Sequence, residues 1–174
     1  MTIRILQYSF TGNTRAACAT ITKALGGACD AITAPAPREG KWAIFLLGFR
    51  SVFGFGPKII APEQDWAGAD LLILAAPVWA GRVALPMRQW LAQGHVLPVR
   101  VALVVTSGAP ELPDGFFDTF AQHTRRTPIA TLHISEDDRE TGADADKIAE
   151  FTKACAKAVT PPSASPAPAQ AQGA

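Results

Sequence analysis

Length, composition and charge narrow the class of protein. The chain has 174 residues, enough for one domain with a full hydrophobic core. It is 48% hydrophobic and 18% charged, with a formal net charge of +1. This balance argues against a nucleic-acid-binding protein, which needs a concentrated basic surface, and against an acidic electron carrier that docks by charge.

Neither the cysteines nor the histidines have the spacing of a metal site. The cysteines form no C-x-x-C pair and are odd in number, so we expect reduced, buried thiols at Cys18, Cys29 and Cys155. The histidines are scattered along the chain. We interpret His95, His123 and His133 as ordinary helix-end, surface or strand residues. The sequence thus predicts no metal centre and no disulfide framework.

No segment of the sequence has the features of a signal peptide or a membrane span. Residues 1–4 leave no room for the apolar part of a signal peptide before the first strand. The longest apolar run, residues 42–49, is far shorter than the ~20 residues that a membrane span needs. We therefore expect a cytoplasmic protein with no transmembrane segment.

The most informative segment follows the first predicted strand. Residues 3–8 are largely apolar and lead into a loop, residues 9–14, after which apolar residues recur at helical spacing. The backbone N–H groups of such a loop converge ahead of a helix N-terminus, where anions bind. A simple helix cap with a turn is the alternative, because serine, threonine and glycine are common there.

The side chains of this loop suit a terminal phosphate without a lysine. Ser9, Thr11 and Thr14 offer hydroxyl donors, Asn13 offers an amide donor, and Gly12 allows close approach of the backbone. The Gly-Lys-Ser/Thr ending of a Walker A loop is missing, and so is Gly-x-Gly-x-x-Gly. These absences argue against nucleotide hydrolysis and dinucleotide binding at this site.

The string Ser-x-Thr-Gly-Asn-Thr after a first strand resembles the phosphate-binding loop of the flavodoxin family. The resemblance implies a non-covalently bound FMN whose phosphate is held by this loop, with Phe10 part of the same site. Gln7 and Cys18 stand where the family usually has an aromatic residue and an alanine. Neither position donates to the phosphate in the family.

Apolar runs alternate with helical patterns along the chain, which is typical of βαβ units around a parallel sheet. Strands are predicted near residues 3–8, 28–33, 70–76, 99–106 and 128–134. Right-handed crossovers arrange five such strands in the order 2-1-3-4-5. We therefore predict an α/β protein, a flavodoxin-like three-layer sandwich, with a ligand crevice at the carboxyl ends of strands 1 and 3.

Two helices are predicted from apolar spacing. A crossover helix covers residues 85–91, with Gly94 as its stop, and a last helix covers residues 144–159. We expect Trp90 on the first and Phe151 on the second to lie in the core.

Two stretches have no strong pattern of their own. Residues 34–69 include the apolar segment 42–56, which is interpreted as a helix that covers the sheet, with an apolar flap or a patch for a partner or membrane surface as the alternative. Residues 160–174 lack charge and large apolar side chains. We predict a disordered tail there, after a domain that spans residues 1–159.

A second candidate loop follows the third predicted strand. Trp79 precedes Ala80-Gly81 at the end of a buried strand, where it can stack on a planar ligand; a core or rim position is the alternative. The stretch Ala-Pro-Val-Trp-Ala-Gly-Arg resembles the second flavin-contacting loop of small flavodoxin-like proteins. That resemblance implies flavin contacts from Pro77, Val78, Trp79, Ala80 and Gly81.

A third candidate loop, Thr106-Ser107-Gly108-Ala109-Pro110, ends the fourth predicted strand. It is similar to the family's third loop, which implies contact of Thr106, Ser107 and Gly108 with the polar edge of the flavin; an ordinary turn is the alternative. Many flavodoxins carry a second aromatic on this loop, and here it is missing. Either Phe116 and Phe117 reach over the ring, or one flavin face is open to a substrate.

No catalytic side chains stand out, and the charge run 136–140 is interpreted as a solvated face or a helix start. The resemblance implies an electron-transfer protein whose chemistry comes from FMN. The balanced charge and the missing aromatic favour an oxidoreductase linked to NAD(P)H or a quinone, with Arg82 attracting an anionic substrate. A one-electron flavodoxin-type shuttle, or a flavodoxin-fold binding or regulatory domain without redox activity, is the alternative. The redox partner stays open, as does the choice between a monomer and a homodimer.

Overall fold

The computed structural model describes residues 1–34 and 58–160. Its strands are β1 (Ile3–Gln7), β2 (Ala28–Ala31), β3 (Leu71–Trp79), β4 (Arg82–Val83), β5 (Val101–Thr106) and β6 (Thr131–Ile134). Its helices are α1 (Asn13–Leu25), α2 (Leu85–Ala92), α3 (Phe116–Thr124), α4 (Glu136–Thr141) and α5 (Asp144–Val159). The apolar segment 42–56 and the tail residues 161–174 lie outside the described residues, so their interpretations stay predictions.

Five of the strands form a parallel sheet in the order β2-β1-β3-β5-β6. Counted over the parallel strands alone, this is the predicted order 2-1-3-4-5, and that prediction is confirmed. The register places Ile5 of β1 between Cys29 of β2 and Ile73 of β3. The carboxyl ends of β1, β3 and β5 therefore lie side by side and bring the three predicted loops to one edge of the sheet.

Several strand ends differ from the predictions. Strand β5 begins at Val101 rather than near residue 99, since Val99 is 83% exposed and precedes the sheet. Strand β3 continues past residue 76, because Val78 and Trp79 pair antiparallel with β4. The sequence hides this extension, since Pro77 has no N–H to donate and suggests the start of a loop. Strands β2 and β6 are shorter than predicted.

Helices cover both faces of the sheet and make the predicted three layers. Helices α2 and α3 pack on one face through Met87, Trp90 and Phe120. Helices α1 and α5 pack on the other face through Ile21 and Phe151, among other residues. Trp90 is 0% and Phe151 4% exposed, so both are core residues as predicted.

The last helix shows how directly apolar spacing can fix an element. Helix α5 has the predicted bounds, Asp144–Val159, and the side chains predicted to face the sheet are all buried: Ile148, Phe151, Cys155 and Val159. An apolar stripe of this kind is stable only against a covering surface, which the sheet supplies.

The prediction of buried thiols holds for two cysteines and is wrong for the third. Cys18 on α1 and Cys155 on α5 are buried, whereas Cys29 is exposed. The reason is that β2 is an edge strand, so its side chains lie near solvent even on a face that a helix covers. In the described ranges, no helix combines the length and apolarity that a membrane span requires.

Candidate functional site

The first loop is organised around the side chain of Ser9. Its hydroxyl oxygen accepts the backbone N–H groups of Gly12, at 3.1 Å, and Arg15, at 3.3 Å. Gly12 caps α1 in the left-handed region, with a φ of 98° that strains any residue with a Cβ. The loop therefore turns sharply into the helix, and Ser9 occupies two of the donors at its start.

Two donors at the same helix end remain available. Within residues 1–34 and 58–160, the backbone N–H groups of Asn13 and Thr14 have no acceptor. They lie at the positive end of the α1 dipole, next to the exposed side chain of Thr11. This arrangement suits an anion, because unsatisfied N–H groups and the dipole both favour negative charge.

The second loop is a tight hairpin. Trp79 of β3 pairs with Arg82 of β4, so Ala80 and Gly81 alone connect the two strands. Both have a positive φ, 48° and 70°, as a type I′ turn requires. Ala80 is thus a non-glycine residue in a strained conformation, while at Gly81 an added Cβ would lie 3.3 Å from Pro113.

Aromatic contacts join the first and second loops. Trp79 is half-buried, and its ring stands nearly perpendicular to Tyr8, with centroids 5.5 Å apart, and to Phe10, at 6.0 Å. Tyr8 is 6% exposed, and burial raises the pKa of its phenol to about 12, so it stays neutral. Sequence reasoning missed Tyr8, although its place directly before Ser9 was the available signal.

A buried hydroxyl pair joins the first and third loops. The hydroxyl oxygens of Thr14 and Thr106 are 2.8 Å apart, and both residues are almost fully buried. One hydroxyl proton lies in this bond, which leaves the second proton for another acceptor. The pair fixes the start of α1 against the carboxyl end of β5.

The third loop is held by hydrogen bonds inside the protein. The backbone N–H of Ser107 donates to the carbonyl of Ile134, and its hydroxyl donates to the carbonyl of Ala109 at 2.6 Å. The same hydroxyl oxygen lies 2.7 Å from His133 Nε2. Because its proton is already donated, the oxygen accepts the Nε2–H of His133. Ser107 is therefore a fixed wall of the site.

His133 belongs to the surroundings of the site, although its sequence context predicted only an ordinary strand residue. Burial of the ring has the largest effect on its pKa and lowers it, and the positive charge of Lys147 lowers it further. The negative charge of Asp138 has the opposite effect. The ring is therefore neutral at pH 7, which agrees with a single Nε2–H that donates to Ser107. The contact joins β6 to the loop after β5, and no local sequence pattern announces it.

The two phenylalanines that follow the third loop pack inward. Phe116 is 6% exposed and belongs to the core beneath α2 and α3. Phe117 is half-buried against the same cluster, with its ring 5.7 Å from Phe116 and nearly perpendicular to it. Phe116 therefore packs under α3 and does not extend toward the third loop. The residues of that loop, Gly108 to Pro110, are small and exposed.

A cavity of ≈ 510 Å³ opens beside the hairpin, between α2 and α3. Its lining includes Arg82, Arg88 and His123, with Asp114 as an acidic group. Burial lowers the pKa of Arg88 and of His123, and each is lowered further by a neighbouring arginine. Two arginines and one histidine therefore line the cavity next to the second loop.

The charge run after β6 forms a capped helix and no metal site. Ser135 and Asp138 make a capping box at the start of α4, and Lys147 Nζ lies 2.6 Å from Asp138. The hydrogen bond from Lys147 and, as the second largest cause, the hydrogen bond from the Ser135 backbone N–H lower the pKa of Asp138 to about 2. The helix start was predicted, but Asp138 is buried rather than solvated. Across the described residues, no group of three or more potential ligands could hold a metal ion.

Comparison with known proteins gives structural matches alone. No protein-family model matches this sequence, and no curated protein does so at a significant level. A flavoprotein from Lactobacillus acidophilus NCFM, solved in complex with FMN, is 20% identical with a TM-score of 0.65, over 83% of this chain and 98% of that one.

Two further structures extend the likeness. A protein from Bacteroides eggerthii DSM 20697 assigned as a flavoprotein is 17% identical with a TM-score of 0.58, over 85% of this chain and 98% of that one. An NADH:FMN oxidoreductase in its apo form is 12% identical with a TM-score of 0.55, over 95% and 91%. At these identities the likeness concerns the fold, and it agrees with the strand order and the three layers: the chain has the flavodoxin-like fold.

Proposed function

We propose that this protein binds FMN non-covalently at the edge where the three loops meet. The observation that carries the proposal is the pair of contacts that joins them. Trp79 stands against Tyr8 and Phe10, and Thr14 bonds to Thr106. The loops resemble phosphate- and flavin-contacting loops in sequence, and these contacts hold them side by side, which supports one shared site. The FMN in the similar Lactobacillus flavoprotein supports the same ligand.

The described residues fit the parts of FMN. The N–H groups of Asn13 and Thr14, which have no acceptor among the described residues, suit the phosphate together with the hydroxyl of Thr11. Trp79 supplies a flat apolar surface for the ring system. In the third loop the exposed Gly108 is the better contact for the polar edge, since the hydrogen bonds of Ser107 are used inside the protein.

The bound flavin would supply electron or hydride transfer, and the protein would hold and orient it. Among the two electron-transfer mechanisms, the site favours an oxidoreductase that uses NAD(P)H or a small quinone. The residues after Ser107 are small and exposed, and Phe116 packs into the core. The exposed Arg82 beside the hairpin suits an anionic substrate such as a nicotinamide nucleotide.

Flavin titration tests the binding proposal. FMN added to flavin-free protein should bind at least ~10-fold more tightly than riboflavin, because charge-assisted hydrogen bonds to the phosphate contribute roughly 1.5–3 kcal/mol each. Fluorescence quenching of the flavin measures both affinities. Equal affinities would show that residues 9–14 do not hold the phosphate, and no FMN binding at high micromolar concentration would overturn the proposal.

Steady-state turnover tests the reductase assignment. The FMN-loaded protein should oxidise NAD(P)H with a small quinone as acceptor, in two-electron steps. Substitution Arg82→Ala should raise KM for the nucleotide and reduce its salt dependence, while kcat changes little. A loaded protein that oxidises no NAD(P)H and accepts electrons one at a time would instead be a one-electron shuttle.

A further inference from the structure

Two cysteines lie on the same face of the sheet, under helix α1. The parallel register sets Cys29 of β2 directly beside Ile5 of β1, so both side chains point to the same face. Ile5 packs in the cluster that also contains Cys18, on the inner side of α1. The chain between the two cysteines is short, because β2 follows α1 through the turn at Gly26 and Gly27.

The two thiols form an asymmetric pair. Cys18 is 0% exposed, whereas Cys29 is exposed on the edge strand. The two thiols lie close enough to shift each other's pKa, and the hydroxyl of Thr22, one turn after Cys18, donates to the carbonyl of Cys18 at 2.7 Å on the same side of α1. An outside reagent therefore meets Cys29 first, with a second sulfur directly behind it.

The environment divides the roles of the two sulfurs. The hydrogen bond from Cys18 and, less strongly, that from Thr22 lower the pKa of Cys29 to about 7, against burial and the charge of Asp30. The same bond and burial hold the pKa of Cys18 well above its ordinary value. Cys29 is therefore the more acidic of the two thiols and the one that forms the thiolate, while Cys18 keeps its proton.

We propose that Cys18 and Cys29 form a redox-responsive dithiol that hydroperoxides close to a disulfide between α1 and β2. The Cys29 thiolate attacks the O–O bond of hydrogen peroxide and becomes a sulfenic acid, and the departing hydroxide is protonated to water. The Cys18 sulfur then attacks the Cys29 sulfur and displaces its oxygen as a second water. In the whole reaction two thiols lose two protons and two electrons, which reduce one peroxide to two waters.

The third cysteine offers a control within the same chain. Cys155 is buried on α5, and burial raises the pKa of its thiol to about 12. Peroxide reaches the exposed Cys29 and not the buried Cys155, so Cys155 should keep its thiol while Cys29 reacts with peroxide and Cys18 with the sulfenic acid beside it.

Mass spectrometry tests the proposal directly. The full-length reduced protein is treated with a small excess of hydrogen peroxide, blocked with an alkylating reagent and digested with trypsin without reduction. Cleavage after Arg15, Lys23 and Arg38 releases residues 16–23 and 24–38, each with one of the two cysteines. We expect these peptides to appear as one disulfide-linked species that dithiothreitol separates, with Cys155 alkylated.

Matched variants identify the role of each sulfur. Cys29→Ser should abolish peroxide-dependent thiol loss, Cys155→Ser should leave the linked peptide unchanged, and Cys18→Ala should stop Cys29 at the sulfenic acid, which dimedone traps. Alkylation of Cys29 against pH should have its midpoint near the value given above and move upward in Cys18→Ala. Wild-type protein that accumulates sulfenic acid at Cys29 without the linked peptide, or loses all three thiols at one rate, would overturn the proposal.

Discussion

Trp79 and Trp90 lie in two aromatic groups that differ in burial and in location. Trp90, on α2, is 0% exposed; it stands perpendicular to Trp66 at 5.5 Å and stacks on His95 at 4.4 Å. Trp79, at the carboxyl end of β3, is half-buried and joins two loops. The fully buried Trp90 thus stabilises the core, whereas the half-buried Trp79 offers a candidate surface for a ligand. The difference in burial separates the two roles.

The largest expected effect is on the core side of this comparison. Trp90→Ala should lower the free energy of unfolding by roughly 3–5 kcal/mol, because it empties a fully buried site. Urea unfolding followed by circular dichroism measures the change. Trp90→Phe is the matched control, because it keeps an aromatic ring and removes an indole N–H that has no partner in the described residues. It should therefore lower the free energy of unfolding much less than Trp90→Ala.

On the crevice side, the expected effect is on flavin affinity. Trp79→Ala should weaken FMN binding by roughly 1–3 kcal/mol through lost apolar area and stacking, with a smaller loss of stability than Trp90→Ala. Trp79→Phe should retain much of the affinity. If Trp79→Ala unfolded the protein while Trp90→Ala released the flavin, the assignment of core and site would be reversed.

A double-mutant cycle sharpens the same distinction at the Thr14–Thr106 pair. Thr14→Val leaves the Thr106 hydroxyl buried without its partner, which should cost roughly 1–3 kcal/mol of stability. Adding Thr106→Val should recover much of that loss, because both polar groups are then gone. Losses that simply add in thermal or urea unfolding would mean that the two hydroxyls do not depend on each other.

The smallest expected effect concerns pH and the capping box beside the third loop. Asp138 has a folded pKa of about 2 and an ordinary value of 3.8, so its stabilisation is present above pH 3.8 and is lost as the pH falls toward 2. Asp138→Asn should cost about 1 kcal/mol at pH 7 and almost nothing near pH 2. The exposed neighbour Asp137→Asn is the control. A difference that stays constant over this range would contradict the role of the charge.

The sequence predicts the structure best where the residues of a single segment determine the element that it forms. Helix α5 follows from its apolar spacing, and the strand order follows from alternating strands and helices with the handedness of their connections. Burial of strands β3 and β5 on both faces follows from their apolar runs.

It is less informative where distant segments meet. The bond between Ser107 and His133 joins residues 26 positions apart, and neither has a pattern that predicts the other. The exposure of Cys29 depends on the edge position of β2, which its four residues do not encode. Candidate site residues could be located by motif, but their internal hydrogen bonds required the structure.

The strained turn at Ala80 has a consequence for engineering. A non-glycine residue with a φ of 48° stores roughly 1 kcal/mol, and the turn already has glycine at its second position. Asparagine tolerates this conformation better, and Asn-Gly is the pair that type I′ hairpins favour. The single substitution Ala80→Asn should therefore make the protein more resistant to heat.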